Sequence, residues 1–351
     1  MSRWATPQYS KKQVNRAGDR LLSWDDSGDI WEYFKALDII NNFRSIHGHP
    51  LNTFQTTLRI KGRLVDPDII VAQRIKRLSS IESKLRRFPK MTLSQMQDIG
   101  GCRAVVDSVK SANALVKSYV ESDLKHALHT NDDYISSPRP TGYRGRHLIY
   151  RYYSDKISIY NGLKIEVQFR SQYQHAWATA VEIVDTFTRQ ALKSSQGEED
   201  WLRFFALMGT AIAIIEGTPP VPGTPSNVDD LVSELKDAEY RLDAVRKLRA
   251  FRIAPVELDN FPKGKVHFFL MELDFTNNVL SVQGYSSSEL SAATQKYLDA
   301  EKRLREGSPS DAVLVSVESL SSLRRAYPNY YLDSDLFVSL VEQSVEGAFY
   351  A

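Results

Sequence analysis

The 351-residue chain is poor in cysteine, with Cys102 as its single thiol. One thiol cannot form an intramolecular disulfide or a cysteine-rich zinc site, so we expect neither disulfide nor zinc. Long apolar runs are also lacking. The longest, residues 204–215, is too short to span a bilayer and predicts a buried helix. The first residues lack the apolar core of a signal peptide, so we expect a cytoplasmic protein with no membrane partner.

An excess of one charge is lacking as well. The chain has 45 lysines and arginines against 43 aspartates and glutamates, a formal net charge of +2. Bulk charge therefore does not indicate a nucleic-acid-binding protein, and any basic site must be local. The sequence contains neither a P-loop nor a dinucleotide-binding fingerprint. What is present is the composition of a folded protein, 42% hydrophobic and 11% aromatic.

A proline-rich segment divides the chain. Residues 216–225 read EGTPPVPGTP, with four prolines and two glycines in ten positions. Such a segment cannot continue a helix or pair as a central strand. We therefore predict a domain over residues 1–216, a linker over 217–227 and a second domain over 228–351.

The hydrophobic pattern predicts an α+β fold, with a mixed central β-sheet flanked by helices and a small C-terminal α+β module. Before the linker we predict helices over 68–87, 108–123 and 173–190, and strands over 102–106, 147–153 and 163–170. After the linker we predict an amphipathic helix over 228–251, a hairpin of strands 266–273 and 279–283 turned at Asn277-Asn278, a helix over 288–305, a strand over 312–317 and a last helix from 333.

The strand over 163–170 alternates strictly, with Ile165, Val167 and Phe169 on one face and charged or polar residues on the other. The polar face consists of Lys164, Glu166, Gln168 and Arg170. An ordinary solvent-facing strand explains this pattern as well as a functional site does.

The segment Asp98-Ile-Gly-Gly-Cys-Arg103 places a carboxylate before a glycine pair and a guanidinium five positions after it. Paired glycines allow a tight turn or a close approach to a ligand. Taken alone, the segment predicts an ordinary turn more strongly than a site.

The segment 134–147 is a loop rich in proline and glycine that also carries Tyr143, Arg144, Arg146 and His147. A tyrosine ring beside cations offers a stacking surface next to phosphate-binding groups, which suits a nucleotide or an RNA terminus. An exposed basic loop with a packed tyrosine is an equally good interpretation.

The predicted helix over 68–87 is basic. Lys76, Ser80 and Lys84 are four residues apart, so on a helix they form one row of donors for a polyphosphate, with Arg74 nearby. A solvated basic face is the alternative. Taken together, two carboxylates, a row of cations and an aromatic loop meet the requirements for moving a phosphoryl group with magnesium.

These four segments, in this order, resemble the synthetase domain of the RelA/SpoT family over about residues 40–215. The family's motifs are similar to Arg74-x-Lys76-x-x-x-Ser80-Ile-x-x-Lys84, Asp98-Ile-Gly-Gly-x-Arg103, Gly142-Tyr-Arg-Gly-x-His147 and Glu166-Val-Gln-x-Arg170. The resemblance implies a nucleotidyltransferase-like fold and transfer of pyrophosphate from ATP to a ribose 3′-hydroxyl.

Carried over by position, the resemblance also implies roles for individual residues. Arg74 and Arg103 sandwich the adenine, while Lys76, Ser80 and Lys84 hold the ATP phosphates. Asp98 and Glu166 hold Mg²⁺, and Glu166 is the general base for the acceptor hydroxyl. Tyr143 stacks on the acceptor base, and its supporting contacts are Arg144, His147, Gln168 and His175.

Bifunctional members of the family carry a hydrolase domain with a His-Asp pair, and no His-Asp dipeptide occurs in this chain. We therefore expect a synthetase restrained by its C-terminal half. Pro50-Leu-Asn-Thr-Phe-Gln55, Gly145-Arg-His147 and Tyr327-Pro-Asn-Tyr330 resemble the fused toxin–antitoxin, CapRel-like branch. That resemblance implies pyrophosphorylation of the tRNA 3′-CCA end, a block of the ATP site by Tyr327 and Tyr330, and release by a phage capsid protein.

Three hypotheses stay open from the sequence. The first is the tRNA-modifying toxin. The second is an alarmone synthetase with GTP or GDP as acceptor, since Tyr143 stacks on guanine as readily as on adenine. The third is an inactive RNA-binding or phage-sensing module, against which the presence of Asp98 and Glu166 argues. Core packing of Tyr327 and Tyr330 is the alternative to a block of the ATP site.

Overall fold

The computed structural model describes residues 4–23, 30–191, 198–250, 256–259, 266–274, 276–277, 279–305, 310–316, 320–327 and 334–349. Tyr330, Asn278 and Val317 lie outside these residues. Within the described part of the chain, no helix is both long and apolar enough to cross a membrane.

Helices precede, flank and follow the sheet. Those described are α1 (Lys11–Ser23), α2 (Ile30–Ser45), α3 (Gly48–Val65), α4 (Leu78–Arg87), α5 (Val109–Val120), α6 (Gln172–Ala191), α7 (Glu198–Ile215), α8 (Val228–Leu242), α9 (Ala244–Ala250), α10 (Leu290–Arg305), α11 (Leu320–Ala326) and α12 (Asp335–Val345).

The strands described are β1 (Ile70–Ile75), β2 (Gly100–Val106), β3 (Ala127–Asp133), β4 (Arg146–Arg151), β5 (Lys164–Ser171), β6 (Val256–Asp259), β7 (Phe268–Asp274), β8 (Val279–Tyr285) and β9 (Ser310–Ser316). They form one sheet in the order β3-β4-β5-β2-β1-β9-β7-β8-β6. β2 and β5 are parallel, as are β6 and β8, and the other pairs are antiparallel. This mixed sheet with flanking helices confirms the predicted α+β fold class.

Strand β5 follows its sequence pattern closely. Ile165, Val167 and Phe169 are fully buried, so the predicted apolar face is the core face. Burying each of these side chains contributes roughly 1.5–3 kcal/mol. The opposite face carries Glu166 and Gln168, and it is this face that lines the site described below.

The predicted helix over 68–87 is wrong in its first half. Residues 70–75 are strand β1, and α4 begins only at Leu78. Ile70, Val71 and Ala72 are all buried because β1 is a central strand. A short, continuously apolar run of this kind cannot be separated from a helix by its periodicity. Lys76 therefore lies between strand and helix, and only Ser80 and Lys84 share a helix face.

The predicted helix over 228–251 is interrupted. Asp243 has φ 51 and ψ 47, the left-handed conformation in which helices commonly end. The chain accordingly forms α8 and then the short helix α9.

The apolar core continues across the proline-rich segment. Phe204 and Phe205 on α7 contact Phe337 on α12, with ring centroids 6.4 and 5.7 Å apart. Arg203 on α7 forms an ion pair with Glu234 on α8 at 2.6 Å. The boundaries predicted at 216 and 228 stay a prediction, and below we call residues 1–216 the N-terminal half and residues 228–351 the C-terminal half.

The sheet also joins the two halves. β9 of the C-terminal half pairs with β1 of the N-terminal half through Gln73↔Ser316 and Arg74↔Val315. The side-chain amide of Gln55 on α3 donates to the Ser316 carbonyl at 2.8 Å. The C-terminal half therefore extends the sheet next to Arg74, one of the predicted site residues.

Candidate functional site

A cavity of about 250 Å³ opens over the polar face of β1, β2 and β5. It brings together most residues that the sequence singled out, although they are spread over more than 90 positions of the N-terminal half. Its lining residues are Ala72, Arg74, Lys76, Arg77, Ser80, Asp98, Gly101, Cys102, Arg103, Glu166, Gln168, Glu182 and Tyr327. We call this cavity the central pocket.

Asp98 lies at one end of the central pocket and is held by two lysines. Lys76 Nζ and Lys84 Nζ each donate to one of its carboxylate oxygens at 2.9 Å. Burial alone would raise the pKa of Asp98, but the two ammonium groups hold that pKa below its usual value. The predicted phosphate-binding lysines and the predicted metal-binding carboxylate are thus neighbours, paired with one another.

Glu166 is the centre of a partly buried chain of hydrogen bonds. Its Oε1 lies 3.0 Å from Nδ1 of His147, and Gln168 Nε2 donates to Oε2 at 2.7 Å. Nε2 of His147 lies 2.6 Å from the Tyr143 hydroxyl, to which Arg170 Nη2 also donates at 3.0 Å. β4 and β5 set this geometry because His147 and Gln168 are directly opposite in the antiparallel register.

These contacts raise the pKa of His147 and lower the pKa of Glu166. Burial alone would lower the pKa of His147, but the Tyr143 hydroxyl and the Glu166 carboxylate raise it to about 9. Burial would raise the pKa of Glu166, but the hydrogen bond and charge of His147 bring that pKa below its usual value. At neutral pH the pair is an imidazolium and a carboxylate.

Stability should therefore depend on pH through His147. Because the folded pKa is about 9 and the unfolded value 6.5, the stabilisation is complete below pH 6.5 and disappears as pH rises through 9. It amounts to at most about 3 kcal/mol. His147→Gln should flatten the fall in unfolding free energy between pH 7 and 10, measured by urea denaturation. An equal fall in both proteins would contradict the charged pair.

Arg74 and Arg103 lie on the adjacent strands β1 and β2, where Arg103 is opposite Ala72, two positions before Arg74, and both line the central pocket. Burial, together with the charges of Arg170 and Arg74, lowers the pKa of Arg103 to about 10. Such a concentration of guanidinium groups in a polar cavity favours an anionic or aromatic ligand.

Glu182 is a pocket residue that the sequence pattern did not single out. It lies on α6, and the charges of Arg74, Arg103, Arg77 and Arg170 hold its pKa below the usual value against the effect of burial. Its signal in the sequence is its position seven residues after His175, two turns along the same helix face. It is the one acidic residue among residues 176–184, which are otherwise apolar apart from Thr179, and it is partly buried.

Tyr327 closes the central pocket from the C-terminal half. Its side chain is 3% exposed, and its ring centroid lies 6.0 Å from Cζ of Arg103. Its hydroxyl donates to the Gln73 carbonyl at 3.1 Å, and burial raises its pKa to about 12. The structure thus places Tyr327 against a predicted adenine-binding arginine. Tyr330 lies outside the described residues.

Among the described residues, five predicted site residues do not line the central pocket: Lys84, which contacts Asp98, Tyr143 and His147, which belong to the chain of hydrogen bonds at Glu166, and Arg144 and His175. Arg144 is buried under the loop 134–147, and its guanidinium donates to the carbonyls of Gly209, Ile135 and Pro219. These bonds fasten the loop to α7 and to the segment that follows it, and the acceptor contact predicted for Arg144 stays a prediction.

The same loop approaches α7 closely. Gly142 has φ 95, and a Cβ there would lie 2.6 Å from the Phe205 carbonyl, so only glycine fits. His175 on α6 also lies outside the central pocket lining. Its Nε2 is 3.2 Å from the Arg325 carbonyl, and burial with nearby Arg103 and Arg170 keeps its pKa far below the usual value.

The donor set fits the Mg²⁺ ion that the resemblance implies, as a partial ligand set. Among the described residues no group of three metal-binding side chains occurs. Asp98 and Glu166 line the same cavity, and the Asp98 charge acts to raise the pKa of Glu166. Mg²⁺ commonly takes one or two protein carboxylates and completes its shell with water and substrate phosphates. Two carboxylates beside the predicted phosphate-binding lysines fit that mode.

Comparison with known proteins finds similarity in the part of the chain that forms the central pocket. Residues 73–184 match the model of the region found in RelA/SpoT proteins. The chain is 30% identical over 115 residues to GTP pyrophosphokinase YjbM of Bacillus subtilis, covering 32% of this chain and 54% of that protein. It is 24% identical over 168 residues to GTP pyrophosphokinase of Haemophilus influenzae, covering 46% of this chain and 21% of that protein.

Among solved structures, small alarmone synthetase 1 of Bacillus subtilis bound to its product pppGpp aligns with 53% of this chain and 93% of its own. The sequence identity is 21% and the TM-score 0.40. The chain spans about half of YjbM and about a fifth of the Haemophilus influenzae protein. Every residue lining the central pocket except Ala72 and Tyr327 falls within residues 73–184, so the pocket is built from the segment that matches the region found in RelA/SpoT proteins.

Proposed function

We propose that the protein is an ATP-dependent pyrophosphokinase, which transfers pyrophosphate from ATP to the 3′-hydroxyl of a ribose. The observation that carries the proposal is the central pocket, which is lined by three arginines, Lys76 and three carboxylates, all within the segment that matches the RelA/SpoT region. The naming of two relatives as GTP pyrophosphokinases supports the same reaction.

In this proposal the donor nucleotide lies over β1 and β2. Arg74 and Arg103 flank the adenine, since guanidinium planes stack on aromatic rings. Lys76, Ser80 and Lys84 bind the phosphates, and the two lysines exchange the Asp98 carboxylate for phosphate oxygens. Mg²⁺, held by Asp98 and Glu166, supplies charge neutralisation for the phosphates when bound.

Glu166 accepts the proton of the acceptor hydroxyl. The hydroxyl oxygen forms a bond to the β-phosphorus of ATP, the bond from that phosphorus to the α-phosphate oxygen breaks, and AMP leaves. His147 and Gln168 orient the carboxylate in the apo structure. Tyr143 is the proposed stacking platform for the acceptor base, and its hydroxyl is fixed by His147 and Arg170.

The described conformation corresponds to a restrained enzyme in this proposal. Tyr327 contacts Arg103 at the place assigned to adenine, so nucleotide and tyrosine compete. Tyr330 is proposed to act with it, on the basis of the resemblance to the fused toxin–antitoxin branch. The release of both by a phage capsid protein, giving anti-phage defence, is carried by that resemblance.

For the acceptor we propose the tRNA 3′-CCA end, with GTP or GDP as the second candidate. In the loop that carries Tyr143, Arg139 Cζ lies 4.3 Å from the centroid of the Tyr134 ring, which offers a cationic and aromatic surface to a single-stranded end. The names of the relatives favour the guanosine nucleotide.

One experiment separates the acceptors. The full-length protein and its Tyr327→Ala variant are incubated with ATP labelled at the γ-phosphate, total tRNA, GTP and GDP, with and without Mg²⁺. Label on tRNA supports the first acceptor, and label confined to guanosine nucleotides overturns it in favour of the second. No transfer in either protein would contradict a pyrophosphokinase. The full chain is used because α7 packs against α12, so truncation after residue 216 would uncover Phe204 and Phe205.

A further inference from the structure

A second contact between the two halves lies on the other side of Arg74, in the interior. Arg44 on α2 forms a bidentate ion pair with Glu301 on α10, with Nη1 to Oε2 at 2.7 Å and Nη2 to Oε1 at 3.1 Å. The Tyr297 hydroxyl donates to Glu301 Oε1 at 2.7 Å and accepts from Arg44 Nη2 at 2.9 Å. Arg44 is 2% exposed and Glu301 8%.

This network also holds the turn that leads from β1 into α4. The backbone N–H of Leu78, the first residue of α4, donates to Glu301 Oε1 at 3.0 Å. Arg44 Nε donates to the Lys76 carbonyl at 2.9 Å. A carboxylate at a helix N-terminus satisfies a backbone donor that has no partner in the helix and interacts favourably with the helix dipole. Glu301 therefore caps the helix that carries Ser80 and Lys84.

The network and Tyr327 belong to separate elements. Glu301 and Tyr297 lie on α10, whereas Tyr327 follows α11, and β9 lies between them in the chain. Arg44 and Tyr297 line a different cavity, of about 400 Å³, which shares Arg74 with the central pocket. Displacing the Tyr327 ring would therefore break none of the hydrogen bonds or the ion pair of the Arg44–Glu301 network.

Separating the two halves at the Arg44–Glu301 pair would carry a large free-energy cost. It would leave a buried guanidinium without its carboxylate and a helix N-terminus without its cap. Breaking a buried pair by removing one partner is strongly destabilising, whereas an exposed pair contributes little.

We propose that Arg44 and Glu301 form a lock between the two halves that is separate from the Tyr327 contact, so that vacating the central pocket leaves the C-terminal half docked. The proposal rests on the pyrophosphokinase function for its consequence, namely that restraint has two parts. Tyr327 blocks the nucleotide, and the lock holds the turn 76–78 and the attached half in place.

The test compares full-length wild type, Glu301→Gln, Tyr327→Ala and the double variant by hydrogen exchange and by pyrophosphate transfer. Glu301→Gln should speed exchange of the Leu78 amide by about tenfold or more, because Arg44 loses its ionic partner and the cap weakens. Tyr327→Ala should leave the Leu78 amide unchanged. The double variant should transfer faster than Tyr327→Ala alone.

Arg303→Gln is the matched control, since Arg303 on the same helix pairs with Glu272 at 2.6 Å in an exposed bridge within the C-terminal half. Exchange at Leu78 that is no faster in Glu301→Gln than in Arg303→Gln overturns the lock. If Glu301→Gln speeds hydrogen exchange throughout the chain, the double variant Arg44→Met with Glu301→Leu is measured instead, because it removes both charges of the pair. Loss of Leu78 protection alone in that variant supports the lock, and wild-type protection overturns it. If no variant transfers pyrophosphate, the proposed function fails, while the exchange data still decide the lock.

Discussion

Replacing Tyr327 with alanine should increase the apparent affinity for ATP and the rate of pyrophosphate transfer by about 10- to 100-fold, because a nucleotide binds only the fraction of molecules with a vacant pocket. Tyr327 is buried against Arg103 and is bonded to the Gln73 carbonyl, so in the described state that fraction is small. Binding of a fluorescent ATP analogue to the full-length protein measures the change directly.

Two further variants sharpen this result. Tyr327→Phe keeps the ring and loses only the hydrogen bond, so it should release the block far less than alanine does. Tyr240→Ala changes an 87% exposed tyrosine of the C-terminal half and should leave ATP affinity unchanged. A Tyr327→Ala protein with a lower unfolding temperature and no gain in affinity would assign the tyrosine to core packing instead.

The second large effect concerns Glu166. In the Tyr327→Ala background, Glu166→Gln should lower the transfer rate by about 10²- to 10⁴-fold, the usual contribution of a general base. Glutamine is nearly isosteric and keeps a hydrogen bond to His147, so the fold should persist. Labelled ATP transfer measures the rate, and binding of the ATP analogue should fall much less than transfer does.

Glu121→Gln serves as the control for Glu166→Gln, because Glu121 is an exposed glutamate whose pair with Lys117 spans 3.8 Å on the surface. It should transfer at the parental rate. Parental transfer in Glu166→Gln would refute the assignment of the base. If expression of the protein arrests cell growth although no pyrophosphate transfer is measured, the inactive binding module is favoured over an enzyme.

Strand β5 shows how much of the fold and of the site the sequence predicts. Its alternation predicts the face that packs in the core and the face that carries Glu166, and both predictions are confirmed. β1 shows where periodicity fails. Its first residues, Ile70, Val71 and Ala72, are buried on both faces of the sheet and show no apolar–polar alternation, so periodicity does not separate them from the following helix. Of the predicted row, Ser80 and Lys84 lie on α4 and Lys76 lies in the turn before it, yet Lys76 and Lys84 both donate to Asp98.

The remaining features depend on contacts that no local pattern encodes. Arg144 and Arg103 are both arginines in motif segments, but one fastens a loop to α7 and the other lines the central pocket. The pairing of Glu301 with Arg44 joins residues 257 positions apart. Charge and spacing along the chain do not distinguish such partners from ordinary surface residues.

Strands β1 and β9 pair through two residues of each strand, and this pairing has a consequence for any movement of the C-terminal half away from the N-terminal half. Withdrawal of β9 would turn β1 into an edge strand, with unpaired backbone groups beside buried apolar side chains. Uncovered edges of this kind recruit strands from other chains and lead to aggregation. A release confined to Tyr327 and its segment avoids that hazard, whereas wholesale departure of the C-terminal half calls for a partner that covers β1 with a strand of its own.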